Sequence, residues 1–359
     1  MITLSLCMIV KNEEKNLKNC LDSVKGVFDE IIIADTGSTD KTKEIAAAFT
    51  DKIYDFVWVD DFAAARNFAF SKASSEYIMW LDADDILPED TRFGLIKLKK
   101  ELKRDIDVVR MPYHTGFANG KPTFTYQRER IIKNCEYALW QGFIHETITM
   151  FGNIISVSLP VEHHKTGTGD SDRNINLYEK HIGLGEELSP RDMFYYGREL
   201  FYHNRNHDAI EVLTKFINSK KGWIENNIDA CRIRAECFER MGEQSNAFMS
   251  LFETLIYDTP RAETSCELGR QFMNIKAYKQ AIYWYKNALS QEPDFDSGAF
   301  ILPDCYGYLP AIQICVCYSK LGDEKTAYKY NEIAAEYKVT DSILYNRNWF
   351  RSIGVGEDS

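Results

Sequence analysis

The sequence predicts two unlike halves: an α/β domain on a mostly parallel, Rossmann-like sheet, then an all-α domain of stacked helical repeats. Three observations predict this. At 359 residues the chain exceeds what one hydrophobic core usually supports. Its first hundred or so residues alternate short apolar runs with amphipathic stretches, the pattern of a parallel sheet covered by helices on both faces. From about Arg191 onward only helical periodicity remains.

The elements follow in order. Leu4 to Val10 is an apolar run suited to a buried strand, and Glu13 to Val24 carries Leu17, Cys20, Leu21 and Val24 at helical spacing. Ile31 to Ala34 predicts a second strand, and Thr39 or Asp40 can cap a helix running through Ile45 and Ala48. Ile53 to Val59 predicts a third strand, Phe62 to Ala73 a third helix and Tyr77 to Leu81 a fourth strand. Val108 to Tyr113, Phe124 to Ile132 and Ile154 to Val161 predict further strands, joined by turns such as Asn119-Gly120-Lys121-Pro122.

In the second half a unit recurs: an aromatic-rich helix, a short polar turn, then a helix opening near an alanine. The turns are His203 to His207, Met241-Gly242-Glu243, Asn274-Ile275-Lys276 and Leu321-Gly322-Asp323, each before Ala209, Ala247, Ala281 or Ala327. Those alanines lie 38, 34 and 46 residues apart. The middle spacing matches the tetratricopeptide period of ~34, and the others suit the same unit with insertions. Such pairs bury their apolar faces only by stacking on neighbours.

Composition narrows the function. Hydrophobic residues make up 45% and charged residues 27%, as in an ordinary globular protein. The net charge of −11 opposes nucleic-acid binding and gives no general attraction to anionic lipid. A basic cluster at Lys97, Lys99, Lys100, Lys103 and Arg104 is expected to be a solvated helix face. The nine cysteines include no Cys-x-x-Cys pair, and Cys315 and Cys317 are too close for ordinary zinc ligation. Reduced thiols and a cytoplasmic location are therefore expected. No basic leader precedes the first apolar run and no run is long enough to span a bilayer, so neither a signal peptide nor a transmembrane segment is predicted.

Two strand ends carry the chemistry. The second strand ends in Asp35-Thr36-Gly37-Ser38-Thr39-Asp40. Ligands of open parallel sheets bind beyond the carboxyl ends of the strands, where a carboxylate can accept from a base or ribose donor. The same residues also suit a simple strand-to-helix turn. The fourth strand ends in Trp80-Leu81-Asp82-Ala83-Asp84-Asp85. Three carboxylates within four residues repel one another; a solvated turn before a helix opening at Pro88 tolerates this, and a divalent cation exploits it. Mg²⁺ and Mn²⁺ take oxygen ligands, typically one or two carboxylates plus substrate phosphates.

These two segments, with Met8-Ile9-Val10-Lys11-Asn12-Glu13-Glu14 and Asp61-Phe62-Ala63-Ala64-Ala65-Arg66-Asn67, resemble the family 2 glycosyltransferases with a GT-A fold. More narrowly, the chain resembles a bacterial subgroup with C-terminal tetratricopeptide-like helices, which includes S- and O-glycosyltransferases of bacteriocin peptides. The motifs cover the first half; the second half resembles the subgroup in architecture only. The resemblance implies a GT-A domain over residues 1–170, a linker over 171–190 and an all-α tetratricopeptide-like domain over 191–359.

It also implies roles by position. Val10, Asn12 and Glu13 fall where the family contacts the nucleotide base, and Asp35 where it holds the uracil. Arg66 matches a position near the diphosphate, with a salt bridge to Asp60 or Asp61 as its structural alternative. Asp82 and Ala83 belong to the turn that contacts the donor. Asp82 and Asp84 match the pair that binds Mg²⁺ or Mn²⁺, Asp84 being the direct ligand, while Asp85 serves the following turn. Trp140-Gln141-Gly142-Phe143-Ile144-His145-Glu146 resembles the glycine loop and acidic motif that carry the catalytic base. Glu146 is the candidate; His145 is its rival, because His-Glu stands where many relatives have Glu-Asp. His163-His164-Lys165-Thr166-Gly167 falls where a histidine completes the metal shell, with His164 preferred.

The implied activity is metal-dependent, inverting transfer of a hexose-type sugar from a UDP-sugar to a Ser, Thr or Cys side chain of a peptide or protein. UDP-glucose and UDP-GlcNAc are the favoured donors, and a homodimer is a candidate assembly. The repeats favour an extended acceptor, because solenoids present long concave surfaces. The alternatives are an acceptor that is a cell-surface glycan or lipid-linked sugar, a non-catalytic protein-binding scaffold, and a nucleotidyltransferase. The last usually needs a Gly-rich basic phosphate loop, and Lys11-Asn12-Glu13-Glu14 is not one.

Overall fold

A computed structural model of the chain describes residues 1–118, 121–164, 171–294, 299 and 301–356. The chain divides into two compact units, Met1–Glu186 and Glu187–Ser359. The expected Asn119-Gly120 turn and the Lys165-Thr166-Gly167 segment lie outside the described residues.

The first unit opens with the expected alternation: β1 (Leu4–Val10), α1 (Leu17–Ser23), β2 (Glu30–Asp35), α2 (Thr42–Ala47), β3 (Ile53–Asp55), α3 (Phe62–Phe70) and β4 (Tyr77–Trp80). It continues through β5 (Asp85–Ile86), α4 (Glu89–Glu101), β6 (Val108–Ala118), β7 (Lys121–Lys133), β8 (Trp140–Gln141), β9 (Thr147–Ile148), β10 (Ile154–Ser156), β11 (Val161–His163) and α5 (Arg173–Gly183). The main sheet runs β3-β2-β1-β4-β7-β6-β11-β5, with β10 also paired to β6. Strands β1 to β4 are parallel. Strand β7 is antiparallel to both β4 and β6, so the sheet is parallel on one side and mixed on the other. Alternate residues of β1 sort into two cores. Leu4, Leu6, Met8 and Val10 pack on one face of the sheet and Cys7 on the other, which is why the strand is apolar throughout.

Three expectations need correction. The strand predicted over Ile154 to Val161 is two short strands, and the segment between them contains Pro160, which has no N–H to give to a ladder. The segment 171–190, expected as a linker, contains α5, with Ile175, Leu177 and Tyr178 buried inside the first unit. Lys99 is not solvated: its ammonium donates to Val27 O at 2.7 Å and pairs with Asp29 at 2.8 Å.

Glu30 ties the foot of the sheet together. Its carboxylate accepts from Ser5 Oγ at 2.5 Å and Ser74 N at 2.6 Å, and it pairs with Lys52. Burial alone would raise its pKa, but these donors outweigh burial and hold it at about 2, against an ordinary 4.5. A carboxylate depressed in this way stabilises the fold above the unfolded value, and the stabilisation disappears as pH falls from 4.5 towards 2. Glu30→Gln is expected to lower stability by about 3 kcal/mol at neutral pH and to flatten the acid limb of the unfolding curve. Urea unfolding of both proteins between neutral and acid pH checks this.

The second unit is helical: α6 (Pro190–Tyr202), α7 (Asn206–Ser219), α8 (Ile224–Arg240), α9 (Gln244–Glu253), α10 (Ala262–Asn274), α11 (Tyr278–Leu289), α12 (Tyr308–Lys320), α13 (Glu324–Tyr337) and α14 (Asp341–Ser352). Each predicted turn falls between the two helices of a pair. Ala209, Ala247, Ala281 and Ala327 are fully buried near the start of each second helix. A small buried residue precedes each alanine at one constant spacing: Gly197, Ala235, Gly269 and Cys315. The reason is close approach. A Cβ on Gly197 would meet Leu213 at 2.5 Å, and one on Gly269 would meet Tyr285 at 2.8 Å. The nine cysteines are free thiols. No described helix is long and apolar enough to cross a membrane.

Candidate active site

The site gathers at the carboxyl edge of β1, β2 and β4. Parallel register sets Val10 beside Asp35, and Val10 O accepts from Thr36 N at 2.9 Å. Asp35 is buried. Its Oδ1 accepts from Gly37 N at 3.0 Å and Ser38 N at 2.9 Å, while its Oδ2 has no partner among the described residues. A buried carboxylate oxygen left without a donor is costly, and a ligand N–H would satisfy it. Asn12 adopts a left-handed φ of 56° and spends its side chain bracing this turn, accepting from Thr39 N at 2.8 Å. Glu13 accepts from Asn16 at 2.9 Å. Its pKa is raised by burial and by the nearby carboxylates of Asp84, Asp82 and Asp40.

The acidic turn is closed on itself: Asp85 N donates to Asp82 O, and Asp82 N to Asp85 Oδ2, both at 3.0 Å. Asp85 is fully buried and committed. It accepts from Arg130 Nη1 at 3.0 Å and from Tyr113 Oη at 2.7 Å. Arg130 is also fully buried, 3.8 Å over the Trp80 ring and 4.3 Å over Tyr113. Ala83 is buried, whereas Asp84 keeps 23% of its side chain exposed.

His163, not the preferred His164, faces this turn. Strand β11 pairs antiparallel with β5, opposing His163 to Asp85. His163 Nδ1 lies 3.4 Å from both Asp84 and Asp85. Their hydrogen bonds, Asp84's first, push its pKa up to about 10 against burial. His164 instead meets Glu162 at 2.9 Å and stacks on Phe117. Successive side chains along a strand point to opposite faces, so only one of two adjacent histidines can face the cluster. Ligand atoms of Asp84, Asp85 and His163 all lie within 4.8 Å of one another. A hard divalent cation suits this set, with Asp84 and His163 offering ligand atoms and Asp85 already pinned.

Arg66 connects the turn to the candidate base loop. Its Nη2 donates to Asp82 Oδ1 at 2.8 Å and its Nε to Glu146 Oε1 at 2.6 Å. The guanidinium sits 5.0 Å from the Trp80 ring and 4.8 Å from Trp140. Burial would raise the Asp82 pKa, but Arg66 and then Arg130 hold it at about 2. The expected alternatives for Arg66 are otherwise engaged: Asp60 pairs with Lys180, and Asp61 caps α3 by accepting from Ala64 N at 2.8 Å. Asn67 exchanges two hydrogen bonds with the Trp140 backbone, at 2.8 and 3.0 Å. Helix α3 therefore aligns the loop carrying His145 and Glu146, whose Gly142 and His145 take left-handed φ values of 89° and 51°.

Arg130, Tyr113 and Arg128 also belong to the site, although no local motif marks them. Strand β7 carries Phe124, Tyr126, Arg128 and Arg130 at strand period beside the apolar Ile131 and Ile132, and charges at that period in a buried strand were the available signal. Arg128 lies 4.8 Å over Trp80 and is 24% exposed, so it presents positive charge on the same ring as Arg66 and Arg130.

Residues 5–152, which carry the doubly covered sheet and the carboxylates at the ends of its second and fourth strands, match the family described as Glycosyl transferase family 2. The N-terminal unit is a glycosyltransferase domain of that family. In particular, 232 residues are 32% identical to the SPbeta prophage-derived glycosyltransferase SunS of Bacillus subtilis, over 61% of this chain and 54% of that protein. The chain thus spans about half the length of that curated relative. A TPR repeat-containing protein of Synechococcus elongatus is 48% identical over 87 residues, 24% of this chain and 22% of that one. Among solved structures, S. aureus TarS superposes with a TM-score of 0.41 at 15% identity, covering 68% of this chain and 54% of that one.

Proposed function

We propose that the protein is a metal-dependent, inverting glycosyltransferase that moves a hexose from a UDP-sugar to a peptide or protein side chain. The observation that carries this reading is the Arg66 guanidinium, which joins the candidate base Glu146 to Asp82 of the acidic turn. Asp35 Oδ2 would accept from the uracil N–H. Asp84 and His163 would hold Mg²⁺ or Mn²⁺, which supplies Lewis-acid stabilisation of the diphosphate leaving group when bound. Glu146 Oε1 is held by Arg66, leaving Oε2 to take the proton from the acceptor hydroxyl or thiol. The acceptor atom then bonds to the anomeric carbon as the bond from that carbon to the UDP oxygen breaks, which inverts configuration. The paired helices of the second unit support a peptide acceptor, because stacked repeats present extended concave surfaces.

Incubation with UDP-glucose or UDP-GlcNAc and Mn²⁺ is expected to release UDP. Addition of a Ser-, Thr- or Cys-bearing acceptor peptide should then give a product heavier by one hexose-type residue, read by mass spectrometry. Absence of UDP release from a panel of UDP-sugars with either metal would sink the reading.

A further inference from the structure

We propose that helix α5 is a clamp on the Glu146 loop and that His181 is its positioning residue. The inference rests on the reading of Glu146 as base. Helix α5 lies beyond the residues that match the family and grips two separate segments of the first unit.

The first grip is on the loop itself. The His181 ring stacks on Phe143 at 3.9 Å and 15°, and the fully buried Tyr178 meets the same ring edge-on at 5.2 Å. The Tyr178 ring also lies 6.5 Å from His145, nearly parallel to it. Phe143 therefore sits in an aromatic notch of α5, three residues before Glu146.

The second grip is on the entry to α3. His181 Nε2 lies 3.3 Å from Asp60 O, and Nδ1 lies 2.7 Å from Glu186 Oε2. A carbonyl and a carboxylate both accept, so the protonated ring suits them; burial lowers the His181 pKa, but the Glu186 carboxylate and the Asp60 carbonyl outweigh it and raise it. Lys180 pairs with the Asp60 carboxylate, which also accepts from Trp58 Nε1 at 2.8 Å. Asp60 holds a left-handed φ of 61° just before Asp61, the cap of the helix that carries Arg66 and Asn67. Arg173 adds a contact 5.0 Å over the Phe62 ring, and Phe62 N donates to Phe143 O at 2.9 Å.

The circuit is closed. Helix α3 holds Glu146 through Arg66, Phe62 N binds the loop backbone, and α5 binds both the loop and the start of α3. The His145 turn is left-handed and not a glycine, a conformation that persists only where its surroundings enforce it. The clamp touches neither Asp35 nor the Asp84–His163 pair, so it is predicted to govern the chemical step and not donor binding.

The test compares wild type, His181→Ala and His181→Phe on the full chain. Three quantities are read: hydrogen exchange of residues 142–147, UDP affinity with Mn²⁺, and the rate of UDP release from UDP-glucose. His181→Ala is expected to speed exchange in the loop and cut release by roughly tenfold or more, since small misplacement of a reacting group is costly. UDP affinity should stay within about twofold of wild type, because the removed contacts lie outside the donor pocket. His181→Phe keeps the stack and should restore loop protection and most of the rate. Unchanged exchange in His181→Ala overturns the clamp, and so does a loss of UDP affinity in step with the rate. If the wild type releases no UDP, the proposed function fails, while the exchange comparison still decides whether α5 holds the loop.

Discussion

Asp84→Ala is expected to lower metal-dependent UDP release by roughly 10³-fold, because the cation's stabilisation of the leaving group amounts to several kcal/mol. The fold should survive, since Asp84 is partly exposed and the turn is closed by Asp82 and Asp85. His163→Ala should show a comparable loss, and His164→Ala should stay close to wild type. That contrast is the sharpest part of the prediction. Adjacent histidines of one strand end face opposite ways: the His163 ring lies 3.4 Å from the Asp84 carboxylate, whereas His164 meets Asp84 only through its backbone N–H. Calorimetry of Mn²⁺ with UDP, run beside the turnover assay, separates metal binding from later steps. Equal losses in the two histidine variants, or full turnover in Asp84→Ala, would refute the assignment.

Arg66→Ala should damage both stability and catalysis. The guanidinium is 9% exposed and pairs with both Glu146, which is 12% exposed, and Asp82, which is 35% exposed. Removing it leaves one largely buried carboxylate unpaired, at a cost of about 3 kcal/mol, the low end for a broken buried pair because Asp82 keeps access to water. Turnover should fall by roughly 100-fold, the scale of a misplaced general base. Arg66→Lys keeps the charge but not the planar fork that spans two carboxylates between two indole rings, so it should recover stability better than rate. Combining Arg66→Met with Glu146→Gln should recover stability without recovering turnover. Chemical unfolding and steady-state kinetics on wild type and the three variants check this; wild-type turnover in Arg66→Ala would show that the bridge has no part in the reaction.

Much of this architecture could be read along the chain. The apolar runs of β1 and β4, the Asp35 turn and the acidic turn are short-range patterns, and so are the repeat turns before Ala209, Ala247, Ala281 and Ala327. Other features were hidden for identifiable reasons. Arg130 reaches Asp85 across 45 positions of chain, and Arg66 reaches Glu146 across 80, so no local window contains either pair. Helix α5 lies where 171–190 was expected to be a linker, although its last turn holds the loop that carries Glu146.

The sequence by itself determined the alternation of strands and helices through β4, the family of the first unit and the placement of carboxylates at strand ends. These depend on period, turn chemistry and composition, which are written locally. Only the tertiary structure decided that His163 and not His164 faces the cluster. It likewise decided that Asp85 is consumed by Arg130 and Tyr113, and that Arg66 spans two carboxylates instead of reaching Asp60 or Asp61. Strand register chooses which of two neighbouring side chains points inward, and burial makes every inward charge find a partner, however distant that partner is in sequence.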